Sequence, residues 1–272
     1  MASLEKHIDD LLYRGRSYFS SNEGRKALGL GSEAFSAAAT RLIKKRRLAS
    51  PRRGFYLILR PEDRGTGAPD PVGWIAPLME YLGLNYRISL LRAAAFHGSS
   101  HQATMVLQVI VPQQLRSIEI GRHRIQFIYQ TPAAFSRTNR SDWLAQIKSE
   151  AGFATVAGVE LTLLDSIRYF RKTAGINGVA QIVKDLGGRA DPRKLARAAV
   201  EYENSAVRRL GYLLDHFGHE RQAKALRPFA RKAKSLKPLN PSAKPLIEEL
   251  ADEDGKNSKW MLAINEPVEI DS

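Results

Sequence analysis

The first sixty residues contain three amphipathic segments followed by two strand-like segments, and this order constrains the fold more than any other feature. The first segment has apolar residues at helical spacing and predicts a helix over about residues 3–14. Its apolar positions are Leu4, Ile8, Leu11 and Leu12. A second helix is predicted from a capping box, in which the Ser20 hydroxyl accepts the Glu23 amide proton. That helix ends at Gly29, and Gly29 and Gly31 are typical of the turn of a helix-turn-helix.

The third segment predicts a helix that begins at Ser32, a residue suited to the N-cap position. Its predicted buried stripe consists of Phe35, Ala38, Ala39, Leu42 and Ile43. Its opposite face carries Ser36, Ala37, Thr40, Arg41, Lys44 and Lys45. Residues 50–54 predict a turn between two strands, of which the second runs over 55–59. Three helices followed by a hairpin are the pattern of a winged helix-turn-helix domain.

This pattern predicts a surface for double-stranded DNA, because the third helix of such a domain fits the major groove. The hairpin forms the wing, whose two arginines would reach an adjacent phosphate backbone or minor groove. The predicted DNA-binding residues are Ser32, Ser36, Thr40, Arg41, Lys44, Lys45, Arg52 and Arg53. Two other interpretations stay open, a solvated basic face and a winged helix that binds protein.

The charge balance also favours a polyanionic partner. The chain has 42 Lys and Arg against 28 Asp and Glu, a net charge of +14 with a pI of about 10.1. Residues 1–65 carry +7 and residues 66–245 carry +13, whereas the tail from about 246 carries −6. The basic helix predicted over 221–234 could contact DNA, contact RNA or be solvated. The acidic tail could fold back on this helix or mimic a phosphate backbone.

Several classes of chemistry find no support in the sequence. There is no cysteine, which excludes disulfides and thiolate metal sites. His97 and His101 are four residues apart, but the glycine and serines between them favour a loop over a metal site. Glu160 and Asp165 have no lysine at strand spacing to form a nuclease centre, and Asp165 is expected to pair with Arg168. We therefore predict no catalytic, cofactor-binding or metal-binding residues and no enzymatic activity.

Residues 60–71 are rich in proline and glycine and predict a linker. The predicted domains are a winged helix over 1–65 and a larger α+β domain over 66–272, in which a small sheet precedes a helical half. The patterns in the larger domain predict a helix over 87–96, a buried strand over 104–111, a hairpin around Gly152, five helices from Val159 on and a last strand over 259–264. Few contacts should cross such a linker, so the two domains are expected to fold independently. With no apolar run of membrane length and no apolar N-terminal segment, we expect a cytoplasmic protein that binds no membrane.

Four further motifs run along the chain: Arg53-Gly-Phe-Tyr56, Tyr86-Arg-Ile-Ser-Leu-Leu-Arg-Ala-Ala-Ala-Phe-His-Gly98, Glu160-Leu-Thr-Leu-Leu-Asp165 and Ala206-Val-Arg-Arg-Leu-Gly-Tyr-Leu-Leu214. Together they resemble the AbiEi-type antitoxins of type IV toxin–antitoxin, or abortive infection, systems. They occur in that family's order over nearly the whole chain. The resemblance implies a winged helix that represses its own operon as part of a phage defence. It also implies a C-terminal domain that counteracts a nucleotidyltransferase-like toxin, with or without direct contact.

The sequence therefore predicts a DNA-binding antitoxin that regulates its own operon, with operator DNA and that toxin as partners. One alternative is an ordinary winged-helix transcription factor with a ligand-sensing C-terminal domain. Another is an enzyme acting on nucleic acid, with the winged helix as its targeting module. A neighbouring gene encoding a nucleotidyltransferase would favour the antitoxin over an ordinary regulator.

Overall fold

A computed structural model describes residues 3–99, 106–244 and 255–270 of the chain. It divides into two compact units. The first unit comprises Met1–Arg87, Met105–Gln130 and Gln146–Thr155, and the second comprises Ile88–Thr104, Thr131–Ala145 and Val156–Ser272. The predicted fold class is confirmed: a winged helix-turn-helix comes first, and an α+β region with a sheet followed by helices comes after it.

The winged helix opens the first unit. Its elements in chain order are α1 (Leu4–Tyr13), β1 (Tyr18–Ser20), α2 (Ser21–Leu28), α3 (Ser32–Lys44), β2 (Leu48–Arg52) and β3 (Phe55–Ile58). The three strands form an antiparallel sheet in the order β1-β3-β2. The predicted capping box is present, because the Ser20 side chain accepts from the Glu23 amide and the Glu23 carboxylate accepts from the Ser20 amide. Gly29 ends α2 in the left-handed region, at φ +64°, which glycine adopts without steric cost.

A sheet follows the winged helix. Its elements and the helices between them are α4 (Ile75–Tyr81), β4 (Arg87–Ile88), α5 (Leu90–Phe96), β5 (Val106–Val111), β6 (Ile118–Ile120), β7 (His123–Tyr129), α6 (Pro132–Thr138), β8 (Leu144–Ser149) and β9 (Gly152–Ala157). The six strands lie in the order β6-β7-β5-β4-β9-β8, with β5 and β7 parallel and in register from Val106 to Val111. The buried strand that ends before Pro112 and the hairpin near Gly152 are both as predicted. Residues 87–88 were predicted as the start of a helix and instead form β4.

The predicted linker is packed into the first unit. The Thr66 carbonyl accepts a hydrogen bond of 2.8 Å from the Arg122 amide, and Ala68 is fully buried. Gly67 and Gly121 meet so closely that a Cβ at Gly121 would lie 2.0 Å from the Thr66 carbonyl oxygen. The winged helix and the residues after the linker thus share one compact unit. The domains 1–65 and 66–272 were predicted as independent folding units, and that stays a prediction.

Five helices and a short sheet make up most of the second unit. They are α7 (Val159–Arg168), α8 (Gly175–Leu186), α9 (Pro192–Ala199), α10 (Asn204–His216), α11 (Glu220–Arg231), β10 (Lys237–Pro238), β11 (Lys256–Asn257) and β12 (Leu262–Ala263). The sequence predicted all five helices. In α8, α9 and α11 the buried residues recur at helical spacing, whereas α7 is buried at every position from Glu160 to Ile167.

The last strand is held against α10 by one aromatic side chain. Trp260 is fully buried, and its ring lies where a Cβ on Gly211 would approach within 2.1 Å. The indole nitrogen of Trp260 donates to the Asp215 carboxylate at 2.6 Å. A glycine in the middle of a helix costs roughly 0.5–1 kcal/mol relative to alanine, and here it provides the space for the indole. The predicted strand over 259–264 is shorter than expected and covers only β12.

Two buried arginines of α10 fix the segment before β10 and the residue before β12. Arg208 donates to the carbonyls of Ser235 and Met261, at 3.1 and 2.8 Å, and Arg209 donates to the carbonyl of Pro238 at 3.0 Å. Burial, and then the charge of the neighbouring Arg208, lower the pKa of Arg209 to about 10. These arginines therefore have a structural role, although the sequence alone would count them among surface cations.

Candidate nucleic-acid interface

The orientation of α3 is set by an aromatic cluster in the core of the winged helix. Phe35 is 1% exposed and meets Phe19 edge to face, with ring centroids 6.5 Å apart. Tyr56 of β3 packs on both rings, at 5.8 Å from Phe35 and 5.4 Å from Phe19. Gly24 of α2 leaves room for this cluster, since a Cβ there would lie 2.7 Å from the Phe35 ring. The cluster therefore fixes which face of α3 points away from the core.

The outward face of α3 holds the residues that the sequence predicted for DNA contact. The exposed residues of this helix end and face include Ser32, Ser36, Ala37, Thr40, Arg41, Lys44 and Lys45, and Glu33 is exposed beside them in the first turn. Small side chains at the first positions allow a close approach, and the cations follow toward the C-terminal end. This is the arrangement that a recognition helix presents to the major groove.

Two expectations about α3 are wrong in detail. Ser32 is the first helical residue and not the N-cap, which is Gly31 without a side-chain hydrogen bond. The Ser32 hydroxyl is therefore not used by a capping bond. Ile43 was predicted in the buried stripe but is 39% exposed, because the stripe that meets the core is the narrower set of Phe35, Ala39 and Leu42.

Two of the cations at the end of α3 are paired with carboxylates of α1. The Lys45 ammonium lies 3.0 Å from the Glu5 carboxylate, and the Arg47 guanidinium lies 2.5 Å from the Asp9 carboxylate. The hydrogen bond from Lys45 and its charge lower the pKa of Glu5 below its ordinary value. No local pattern predicts these pairs, since the partners are 40 and 38 residues apart.

The other cations of this region have no ion-pair partner in the part of the chain that the structure describes. They are Arg41, Lys44, Arg46 and Arg53. The sequence contains no acidic residue between Glu33, in the first turn of α3, and Glu62, so the rest of α3 and the wing have no acidic residue nearby in the sequence. Arg46 was not among the predicted contacts. It lies just beyond α3 in the left-handed region, at φ +54°, and is exposed.

The two wing arginines have different surroundings. The tight turn of the wing consists of Arg53 and Gly54 alone, whereas the sequence predicted a turn over 50–54. Arg52 therefore lies in β2, where it donates to the Arg116 carbonyl and sits over the Phe127 ring at 5.9 Å. Burial, and then the Arg116 charge, lower the pKa of Arg52. Arg53 is exposed at the tip, and its carbonyl accepts from the Tyr81 hydroxyl at 3.1 Å.

A groove lies between the start of α1 and the C-terminal half of α3. It has a volume of about 240 Å³ and includes Ser3, Glu5, Arg41 and Lys45 in its lining. Two cations and one carboxylate thus share a concave surface at the edge of the α3 face. A phosphate group in this groove would come within reach of both cations, with Glu5 as the competing anion.

His97 and His101 are the histidines that the sequence offered as metal ligands. His97 contacts the Ala157 carbonyl through its Nε2 atom at 2.7 Å, and His101 lies outside the described residues. Across residues 3–99, 106–244 and 255–270, no group of three His, Cys, Asp or Glu side chains is placed to hold a metal ion.

The carboxylates of α7 serve the packing of the second unit. Glu160 accepts a 2.8 Å hydrogen bond from the Asp191 amide. Asp165 is fully buried and accepts from the hydroxyls of Ser89 and Tyr202, at 2.8 and 2.7 Å. The expected pair of Asp165 with Arg168 is wrong, since Arg168 pairs instead with Glu203 at 2.9 Å.

The basic helix predicted over 221–234 is α11 with the residues after it. Its exposed cations are Arg221, Lys224, Arg231, Lys232 and Lys234, while Arg227 lies over the Trp260 ring at 5.7 Å. The acidic tail was expected to fold back on this helix or to mimic a phosphate backbone. Its most acidic part, within 245–254, lies outside the described residues, and both ideas stay predictions.

The fold is that of a protein with an N-terminal winged helix-turn-helix followed by an α+β region. Residues 87–216 match the family of the AbiEi antitoxin C-terminal domain. The resemblance expected from the sequence is thereby confirmed. Residues 87–216 thus match an AbiEi-type antitoxin domain, which supports an antitoxin of a toxin–antitoxin system.

A solved structure supports the fold over nearly the whole chain. The crystal structure of the RV2827C protein from Mycobacterium tuberculosis is similar with a TM-score of 0.63. The two chains are 15% identical, and the match covers 95% of this chain and 89% of that chain. At this identity the likeness is one of fold alone. No curated protein matches the sequence. Within the described residues, no helix combines the length and the apolar character that crossing a membrane requires.

The different surroundings of the wing arginines predict different effects of their removal. Arg52→Ala loses the hydrogen bond to the Arg116 carbonyl and the contact with Phe127, so it should lower the free energy of unfolding by about 1 kcal/mol. Arg53→Ala, at the exposed tip, should change stability by less than about 0.5 kcal/mol. Urea unfolding of the full chain measures both. Equal stability of the two variants would show that Arg52 does not tie the wing to the sheet.

Proposed function

We propose that this chain is the antitoxin of a type IV toxin–antitoxin system and binds the operator of its own operon as a repressor. The observation that carries DNA binding is the outward face of α3. There, the hydroxyl groups of Ser32, Ser36 and Thr40 lie beside Arg41 and Lys44, two cations without a carboxylate partner in the described chain. A solvated basic face needs no hydroxyl row beside its cations, whereas groove recognition uses both.

The division of roles follows from the chemistry of the side chains. Lys44, and Arg53 at the wing tip, are suited to phosphates, which position a protein on the duplex without reading its sequence. Arg41 is suited to a guanine, because its guanidinium can donate to O6 and N7 together. Arg52 contributes mainly by holding the wing in place, since its own donors are partly used within the protein.

The antitoxic function rests on the domain over 87–216. The family implies a nucleotidyltransferase-like toxin as the functional partner, and the proposal does not require that the two proteins touch. A repressor of its own operon acts in the compartment that holds the DNA, so the proposal places the chain in the cytoplasm. It assigns no catalytic step to the chain.

A salt titration tests the phosphate contacts. Binding of full-length protein to a labelled duplex from upstream of its gene should weaken with rising salt, with a slope of about −0.9 in log K against log salt per phosphate neutralised. Lys44→Ala should make that slope less steep by about 0.9, the contribution of one phosphate contact. It should weaken binding to operator and scrambled duplexes alike. Lys148→Ala, which removes an exposed cation from β8, serves as the control. An unchanged slope for Lys44→Ala would mean that Lys44 faces solvent.

A selection experiment tests the reading of bases. Arg41→Ala should cost about 1–3 kcal/mol at one base pair and relax the preference there, because one bidentate contact is lost. Selection of bound sequences from a random duplex pool, with wild type and variant in parallel, measures this preference. If both proteins select the same consensus with the same stringency at every position, Arg41 does not read a base.

A further inference from the structure

Helix α1 supplies two carboxylates to the cations that follow α3. Glu5 and Asp9 are one helical turn apart and therefore lie on the same side of α1. Glu5 holds Lys45 and Asp9 holds Arg47, each through a direct ion pair. Lys45 and Arg47 are thus neutralised within the protein, whereas Lys44 and Arg46 have no carboxylate partner in the described chain.

The pair of Glu5 and Lys45 lies at the edge of the proposed DNA surface. Lys45 adjoins Lys44, and both residues of the pair are open to solvent, with 64% of the Lys45 side chain and 48% of the Glu5 side chain exposed. Glu5 and Lys45 also line the groove that contains Arg41. A duplex phosphate that approached this groove would compete with Glu5 for Lys45.

The energies allow such a competition. An exposed ion pair is weak, so it biases the position of Lys45 without locking it. A lysine that meets a phosphate normally releases a salt ion, and this release drives binding to DNA of any sequence. A lysine whose counterion is a carboxylate of its own chain has fewer salt ions to release. It therefore adds less to sequence-independent affinity than a free lysine does.

We propose that Glu5 is a positioning residue of the DNA surface, which acts as the intramolecular counterion of Lys45 and limits the sequence-independent affinity for duplex DNA. The inference rests on the proposed DNA-binding function. It assigns to Lys45 a smaller share of phosphate binding than to Lys44, although the two cations are adjacent in the sequence. It also explains why an exposed carboxylate at the groove is compatible with a surface for a polyanion.

Replacement of Glu5 by the neutral residue glutamine, in the full-length chain, tests the proposal. Glu5→Gln should steepen the slope of log K against log salt by about 0.9 on a scrambled duplex, because Lys45 then joins the phosphate contacts. The affinity ratio of variant to wild type should accordingly fall by about 3.5-fold as salt rises from about 50 to about 200 mM. Fluorescence anisotropy over this range measures both quantities. Thermal unfolding should barely change, as expected for an exposed pair.

Two matched variants separate this effect from a general loss of negative charge. Asp10→Asn removes one charge from the same helix at an exposed residue that holds no cation in the described chain, and it should leave the slope unchanged. On a Lys45→Ala background, Glu5→Gln should also leave the slope unchanged. If Glu5→Gln leaves the wild-type slope unchanged, or steepens it equally without Lys45, the inference is overturned.

The proposed function fails on a different result. If wild-type protein binds neither operator nor scrambled duplex with salt-dependent affinity, DNA binding itself is wrong. If wild type binds and Lys44→Ala flattens the slope while Glu5→Gln does not steepen it, only the inference about Glu5 is wrong.

Discussion

The burial of Phe35 is the constraint on which the DNA surface depends. Its ring packs against Phe19 and Tyr56 and lies close to Gly24. These contacts fix the rotation of α3 about its own axis. The row of hydroxyls and cations on the opposite face is a consequence of that rotation. A large-to-small change at such a buried aromatic residue typically costs 3–5 kcal/mol, which is a large share of the stability of a small domain. The recognition surface is therefore only as well defined as this cluster.

Charge is distributed on this surface by the fold as well as by the sequence. After Glu33 the sequence of α3 and the wing contains no acid, yet Lys45 and Arg47 are neutralised by carboxylates of α1, 40 and 38 residues away along the chain. Arg52 is less available to a ligand for a different reason, because it donates to the Arg116 carbonyl and lies over the Phe127 ring. What faces solvent without a partner in the described chain is a smaller set, led by Arg41 and Lys44. The net charge of +14 thus overstates the number of cations available to DNA.

Local signals predicted the helices, the capping box at Ser20 and the left-handed turn at Gly29, because each depends on residues within a few positions. Tertiary contacts decided the rest. Ile43 fits the apolar period of α3 but lies beyond the edge of the core, and Arg52 belongs to a strand because its partner residues come from another part of the chain. Asp165 accepts hydrogen bonds from the hydroxyls of Ser89 and Tyr202, which are distant in the sequence, and does not pair with Arg168 one turn away. The residues of the candidate surface were therefore predictable, whereas their pairing was not.

The central claim is that DNA contact and antitoxic activity use different surfaces of one chain. The full-length double variant Arg41→Ala, Lys44→Ala tests it most directly, in cells that carry a reporter for the proposed operator and an inducible copy of the proposed toxin. The account predicts that the variant accumulates as a folded protein, loses repression of the reporter and still restores growth when the toxin is induced. Loss of rescue by a variant that is folded and present at the wild-type level would contradict it.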